Sequence, residues 1–370
     1  MFFAPDLGGW LVTRREDVVA ALADPAGFSS AGNLSMPPPP AQLRERLPHG
    51  YPWATPALAN GDPPEHTRLR KLVNAAFSRA RVRRLEPAVH GIASELVARL
   101  PAQGGADAIA DLARPLAERS LALAIGYPEP ELEALRRWLS ALDVTNAHAG
   151  DTDSPALVTA AEEHARFAER CTALVAASRD GDDLLARLGR AEITATRAQS
   201  VVMQVVMAGV ATTAHTIAHC LKALLEVPSR WQALRARPAG MAAVIEESLR
   251  YRSTVRGMPR TVTRDVELGG AQLAAGDCVW LLFASANRDG ADADEFAPDR
   301  VDWRSHLAFG RGRHFCPGAP LARLETAAAL TALLPLDGLR LDDGEPLTPH
   351  PTFPIDALVR LPVRWSPPAP

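Results

Sequence analysis

HLAFGRGRHFCPGAPLARLE, residues 306–325, carries more chemistry than any other part of the sequence. Two glycines, Gly310 and Gly312, precede Cys316, and Gly318 follows it. Glycines at this density let a backbone turn sharply and approach a flat object closely. From Gly318 to Leu334 the pattern is helical, and Pro335 stops it. The start of that helix falls beside the sulfur, where its macrodipole and free N–H groups favour a negative thiolate. Arg311, Arg313 and His314 add positive charge. The spacing describes a buried thiolate in an electropositive loop at a helix start.

The other cysteines, Cys171, Cys220 and Cys278, are far apart, and no CxxC pair exists. That pattern gives no zinc site or disulfide framework and fits a reducing cytoplasm. Lone cysteines of this kind are usually buried apolar residues. The chain has 370 residues, 40 of them basic and 43 acidic, for a net charge of −3. The near balance argues against a nucleic-acid partner. Apolar residues make up 47% and charged residues 22%, a globular composition with enough chain to enclose a sizeable ligand. The N-terminus, MFFAPDLGGW, has neither the basic region nor the apolar run of a signal peptide. Val201 to Ile217 contains Gln204, Thr212, Thr213 and His215, and reads as a buried core helix rather than a membrane span. A cytoplasmic protein without a membrane partner is expected.

Trp10 to Thr13 reads as a short strand and Arg15 to Ala23 as a helix. Residues 29–64 are rich in Pro, Gly and Ser and read as a long binding loop with short helical pieces. Helical patterns fill Glu65 to Gly189, a long helix follows from Ala195 to Leu225, and another covers Gly240 to Tyr251. Strand signals lie at Thr261–Leu268 and Val279–Phe283, residues 286–318 are irregular, and Ile355 to Trp365 is strand-like. The expected fold is mainly α with a minor β portion. With no internal repeat and no linker, residues 1–370 are expected to form a single domain.

Phe309-Gly310-x-Gly312-x-His314-x-Cys316-x-Gly318 resembles the haem-binding signature of the cytochrome P450 family at every position. The resemblance runs from Trp10 to Trp365. It implies the cytochrome P450 fold, with haem b held between the long central helix and the cysteine loop. It implies that Cys316 is the axial iron ligand, whose thiolate favours O–O cleavage. Phe309 and Gly310 belong to the same signature, and His314 is implied to bind a haem propionate. Glu247 and Arg250, at i and i+3 on one helix face, form a weak motif alone. They match the family ExxR, and Phe296-x-Pro298-x-Arg300 matches its downstream partner. The resemblance implies a structural ion network of Glu247, Arg250 and Arg300, since charges buried this way must be paired. Arg260 matches a propionate-binding arginine, and His66 with Arg70 matches a second propionate-binding pair. Arginine meets carboxylates in fork geometry. Ala208-Gly209-Val210-Ala211-Thr212-Thr213 resembles the family's oxygen-binding stretch. There Ala208 and Gly209 leave room over the iron, and the Thr212 hydroxyl helps deliver protons.

Several positions depart from the family pattern. Ala211 stands where an acid is usual. Water or substrate groups then carry protons, or His215 helps, or the reaction needs less proton delivery, as in oxidative coupling. Thr254 replaces a usual proline, and Arg256, in a pocket-lining stretch, either meets a substrate carboxylate or faces the surface. The chain begins almost at the first strand, where relatives have a few dozen more residues, so the first helix is missing or the start falls late. By resemblance the pocket is lined from residues 31–60, 140–180, Val205 to Thr212, Val255 to Met258, and Thr352-Phe353. The last three are largely apolar, which suits a hydrophobic small molecule.

The implied activity is that of a bacterial-type monomeric monooxygenase. It hydroxylates or epoxidises a hydrophobic small molecule, in secondary-metabolite biosynthesis. Its electrons come from NAD(P)H through ferredoxin reductase and ferredoxin. Arg68, Lys71, Arg311, Arg313 and Arg323 are expected to offer the ferredoxin a basic docking patch. The rival readings are oxidative C–C or C–O coupling on the same haem, a non-catalytic haem-binding auxiliary protein, and a sensor. Cys316 argues against the auxiliary protein, and no signalling segment is visible for the sensor.

Overall fold

A computed structural model describes the chain except residues 35, 37, 48, 49, 148–153, 301–304, 345, 351, 352 and 368–370. It is mainly helical with a minor β portion. In chain order the strands are β1 (Phe2–Ala4), β2 (Gly9–Val12), β3 (Phe28–Ser29), β4 (Gly105–Asp107), β5 (Met258–Val262), β6 (Val266–Leu268), β7 (Ala271–Leu273), β8 (Cys278–Leu281), β9 (Arg340–Leu341) and β10 (Pro362–Arg364). The first helices are α1 (Arg15–Ala23), α2 (Glu65–Ala76), α3 (Arg79–Ala98), α4 (Arg114–Ile125), α5 (Leu132–Ala147), α6 (Pro155–Ala177) and α7 (Leu184–Arg190). They are followed by α8 (Ala195–Gly209), α9 (Ala211–Leu225), α10 (Pro228–Ala236), α11 (Met241–Tyr251), α12 (Phe283–Ala286) and α13 (Ala319–Leu333). Two compact units divide the chain. One comprises Met1–Ser29, Val82–Ser120 and Gly209–Pro370, the other Ser30–Arg81 and Leu121–Ala208.

The first unit holds a five-stranded sheet ordered β1-β2-β8-β5-β3, in which β2 and β8 run parallel and the other neighbours antiparallel. Side chains alternate between the two faces of a strand. Val279 and Leu281 of β8 and Arg260 and Val262 of β5 are therefore the buried set, with Arg260 opposite Val279 in register. The strand signal at Thr261–Leu268 resolves into β5 and β6, and β6 turns into β7 through Gly269 and Gly270, at φ +57° and +80°. Only glycine takes two successive positive φ values without strain, and the tight hairpin needs both. Of Ile355 to Trp365, only Pro362–Arg364 is strand, between β4 and β9.

The helical core of this unit is built on α9, against which α10, α11 and α13 pack. Ile217, Leu221 and Leu224 recur at helical spacing and are buried. Each such side chain contributes about 1.5–3 kcal/mol on leaving water. In the second unit α5 packs on α6, α6 on α7, and α2 on α7. Its aromatic core stacks Trp138 on Phe167 (4.6 Å) and Tyr51 on Trp53 (4.8 Å), with His164 edge-on to Trp53 (4.5 Å).

The long helix read over Ala195 to Leu225 is interrupted at Val210, between α8 and α9. Gly209 precedes the interruption, and glycine is the weakest of the non-proline helix formers. By length and apolar composition residues 195–225 match a membrane-crossing helix, whereas the sequence reading judged a shorter window too polar to span. Of its most apolar window, 67% is buried within the protein.

Candidate functional site

The Cys316 loop is held by its own backbone. The Cys316 N–H donates to the Phe309 carbonyl (2.9 Å), the Gly310 N–H to Leu307 (2.8 Å) and the Phe315 N–H to Gly312 (3.1 Å). Gly310 and Gly312 take φ of +66° and +71°, the left-handed region that side chains avoid. A Cβ on Gly312 would also come 3.2 Å from the Leu22 carbonyl. Gly318 caps α13, so two residues separate the cysteine from the helix start. The Cys316 sulfur lies 3.8 Å from where a Gly318 Cβ would sit, so glycine keeps side-chain atoms off that side of the sulfur.

The chemistry of the other thiols differs. Burial raises all three, with Cys220 pushed up to about 12 and Cys171 higher still. Cys316 is partly exposed and stands beside a helix start. Its loop joins the packed layer of Leu22, Phe283 and Leu307 with Val262, Val279 and Leu281, the strands that carry Arg260. Arg260 is buried, and its Nη1 donates to the Pro259 carbonyl (2.6 Å). His314 ends a short 3-10 turn, Gly312–His314, two residues before the cysteine. A soft thiol, a glycine-lined cradle and a buried guanidinium in one packed layer fit a haem with anionic propionates.

Behind the loop Glu247 is wholly buried and receives Arg250 in a two-pronged bond, Nε to Oε2 (2.7 Å) and Nη2 to Oε1 (2.8 Å). Arg300 Nε reaches Oε1 at 3.3 Å, and the Ala297 N–H donates to the same oxygen (2.7 Å). Arg250 also donates to the carbonyls of Asn287 (3.0 Å), Ala293 (2.8 Å) and Glu295 (2.8 Å). The structure thus joins Glu247, Arg250 and Arg300, and through them α11 and the 287–300 segment.

A second network escaped the sequence reading. Glu246 is buried and binds Arg323 through Nη2 (2.7 Å) and Nε, and His306 through Nε2 (3.0 Å). The Ala308 N–H donates to His306 Nδ1 (3.2 Å), so the ring proton sits on Nε2 and points at Glu246. Burial alone would raise the Glu246 carboxyl, but the bonds to Arg323 and His306 outweigh it and hold it at about 2. Arg323, one of the residues expected in the basic docking patch, is thus also committed to Glu246, because a carboxylate so buried must be paired. Arg311 and Arg313 are exposed on the loop. The doubled acid in Glu246-Glu247 was the one available signal.

On α9, Thr212 is partly buried in the first turn, and its carbonyl accepts the Thr216 hydroxyl (2.8 Å). Thr216 and Thr254 share a hydroxyl–hydroxyl bond of 3.0 Å, which gives the threonine in the proline position a partner. His215 is partly buried, and desolvation first, then Arg114 and His350, lowers it to about 4. The His219 Nε2 donates to the Asp356 carbonyl (2.9 Å). Arg256 is partly exposed and is also bonded within the protein. Its Nη2 pairs with Asp356 Oδ1 (2.8 Å), and Arg252 Nε takes Oδ2 (2.7 Å). Thr352 lies outside the described residues.

In the second unit His66 and Arg70 stand four residues apart on α2, which places them on one face. His66 is buried, and Arg70 Nε donates to Asn74 Oδ1 (2.8 Å). On the same helix Arg68 donates to the Glu192 carbonyl, and Lys71 is exposed. Ala208 is exposed in the last turn of α8.

The cytochrome P450 family profile matches residues 240–361, from the residue before α11 to the residue before β10. The cytochrome P450 monooxygenase PikC of Streptomyces venezuelae is 36% identical over 376 residues, covering 96% of this chain and 85% of that protein. The cyclomarin C epoxidase CymV of Salinispora arenicola is 35% identical over 347 residues, covering 88% and 82%. Among solved structures, the P450 heme domain of Tepidiphilus thermophilus matches with a TM-score of 0.89 at 28% identity, covering 99% of this chain and 91% of that one. Similarity of this extent, on a chain whose cysteine loop and ExxR network have the geometry above, places the protein in the cytochrome P450 family, as a monooxygenase-type oxidoreductase.

Proposed function

We propose that the protein is a cytoplasmic, monomeric enzyme of secondary-metabolite biosynthesis that inserts one oxygen atom from O2 into a hydrophobic small molecule, by hydroxylation or epoxidation. The Cys316 loop carries this reading: a cysteine with side-chain-free space at Gly318, beside the start of α13. Haem b bound there supplies an iron whose thiolate ligand favours cleavage of dioxygen. Cys316 supplies the sulfur. Arg260 and His314, with His66 and Arg70 from α2, receive the two propionates. Ala208 and Gly209 would leave space beside the haem, and the Thr212 hydroxyl would hold and pass on a proton there. Phe309 and Gly310 shape the loop around the sulfur. The activity of the epoxidase relative supports epoxidation as one outcome. NAD(P)H electrons arrive through ferredoxin reductase and ferredoxin, the latter docking against Arg311 and Arg313. The chain 1–370 works as one domain.

Ala211 favours a second reading, oxidative C–C or C–O coupling, which needs less proton delivery. The test of the first reading is the carbon monoxide difference spectrum of the reduced protein, followed by product analysis with a surrogate ferredoxin system. A thiolate-type spectrum that disappears in Cys316→Ala is expected. An imidazole-type spectrum, or a protein without porphyrin, sinks the assignment. Oxygenated products of an apolar substrate separate insertion from coupling. Ala211→Glu should raise product formed per reductant consumed if the missing acid limits proton delivery.

A further inference from the structure

Gln204 is the polar residue at the centre of the buried run Val201 to Val206 on α8, and it is 3% exposed. Its Oε1 accepts the backbone N–H groups of both Leu58 and Ala59, each at 3.1 Å. Its Nε2 lies 2.8 Å from the Trp53 carbonyl, 2.9 Å from Asn60 Oδ1, 3.1 Å from Ser200 Oγ and 3.3 Å from the Thr55 carbonyl. Its partners reinforce one another. Asn60 accepts the Ala57 N–H (3.1 Å) and donates to the Ala54 carbonyl (2.8 Å), while the Ser200 hydroxyl donates to Thr55 (2.7 Å). Five of the eight residues from Trp53 to Asn60 thus bond directly to one side chain or to its immediate neighbour on the helix.

Residues 53–60 have little regular structure beyond the turn Pro52–Ala54, so their backbone groups have few partners of their own. A buried amide offers an acceptor and two donors in one plane, which suits a peptide segment crossing the helix. Gln204 stands one helical turn before Ala208, and positions i and i+4 share a face. The clamp therefore sets the 53–60 segment in register with the turn that carries Ala208.

We propose that Gln204 is a positioning residue that makes the 53–60 segment a fixed wall of the substrate pocket, and so limits the size of molecule admitted. The proposal rests on the pocket reading given under the proposed function. Its test uses the haem-loaded protein and two variants, Gln204→Met and the milder Gln204→Glu, which keeps an acceptor for Leu58 and Ala59. Amide hydrogen exchange at Leu58 and Ala59 should quicken about 10- to 100-fold in Gln204→Met, with amides of α5 and α6 unchanged. The ratio of imidazole to 4-phenylimidazole affinities, read by haem absorption shift, should move about 10-fold toward the larger ligand. In Gln204→Glu a smaller change of the same sign is expected, and it decides the matter if the methionine variant does not fold. Unchanged exchange overturns the clamp, and faster exchange with an unchanged ligand ratio overturns its role in size selection. If the wild-type protein lacks the thiolate-type carbon monoxide spectrum, the proposed function falls, and hydrogen exchange alone then decides the clamp.

Discussion

The guanidinium of Arg323 lies 4.6 Å above the centre of the Phe309 ring. The same side chain binds Glu246, and Phe309 is the residue whose carbonyl receives the Cys316 N–H. A chain of three contacts therefore runs from α11 through α13 to the backbone of the cysteine. Removing Arg323 takes away a cation–π contact of about 0.5–1 kcal/mol and leaves a buried carboxylate bonded to His306, at a larger cost. Arg323→Ala is expected to lower stability by about 2–4 kcal/mol by urea unfolding. It should also raise the fraction of protein whose carbon monoxide spectrum has lost thiolate character. Arg323→Lys should recover little, because lysine cannot supply both bonds to Glu246.

The same network predicts acid sensitivity. The folded Glu246 carboxyl is held at about 2, against an ordinary 4.5, so its contribution is present above pH 4.5 and is lost as pH falls toward 2. Glu246→Gln should flatten the stability–pH curve across that window while lowering stability at neutral pH. An unchanged slope in urea titrations at successive pH values would count against the bonded carboxylate.

Three glycines of the cysteine loop should respond differently to alanine. At Gly312 the left-handed backbone costs about 1–2 kcal/mol, and the Leu22 carbonyl crowds the new methyl group. Gly310 carries the same backbone strain with more room, its nearest contact being 3.8 Å, so Gly310→Ala is expected to cost less. Gly318 has an ordinary φ of −77° and a 3.8 Å approach to the sulfur, so its alanine variant should change stability by under about 0.5 kcal/mol. Thermal unfolding of the three variants tests the ranking.

In the second unit His164 is buried against Tyr51 and Trp53, bonds Thr145 through Nε2 (2.7 Å), and is lowered to about 3 by burial. The folded state keeps the ring neutral while the unfolded state takes a proton below 6.5, so the stabilisation is full above pH 6.5 and declines as pH falls toward 3. Tryptophan fluorescence should report an acid transition of this unit, moved to lower pH in His164→Phe.

At the turn between α8 and α9, Thr212→Ala should leave the carbon monoxide spectrum intact while product per reductant falls, by up to about 10²-fold. Thr213→Ala, one residue on and buried, should act on stability instead.

The cysteine loop, the helix after it and the ExxR pair were legible because their information is local: glycine spacing, a helix start, and an i, i+3 pair. The order of elements was legible for the same reason, since periodicity is a property of neighbouring residues. The interruption at Val210 was not, because apolar spacing runs smoothly from Val206 through Ala214 and conceals the lost hydrogen bonding.

What the sequence determined by itself was the family, the cysteine loop that carries its signature, and the mainly helical fold. Only tertiary structure decided which charges are committed. Arg323 reads like Arg313 in the sequence, yet one is bound to Glu246 and the other faces solvent. Gln204 reads as a lone polar residue in an apolar helix until the 53–60 backbone is seen bonded to it. The reason is physical: a buried polar group must be satisfied, but its partner can lie about 150 residues away, where no local pattern points to it.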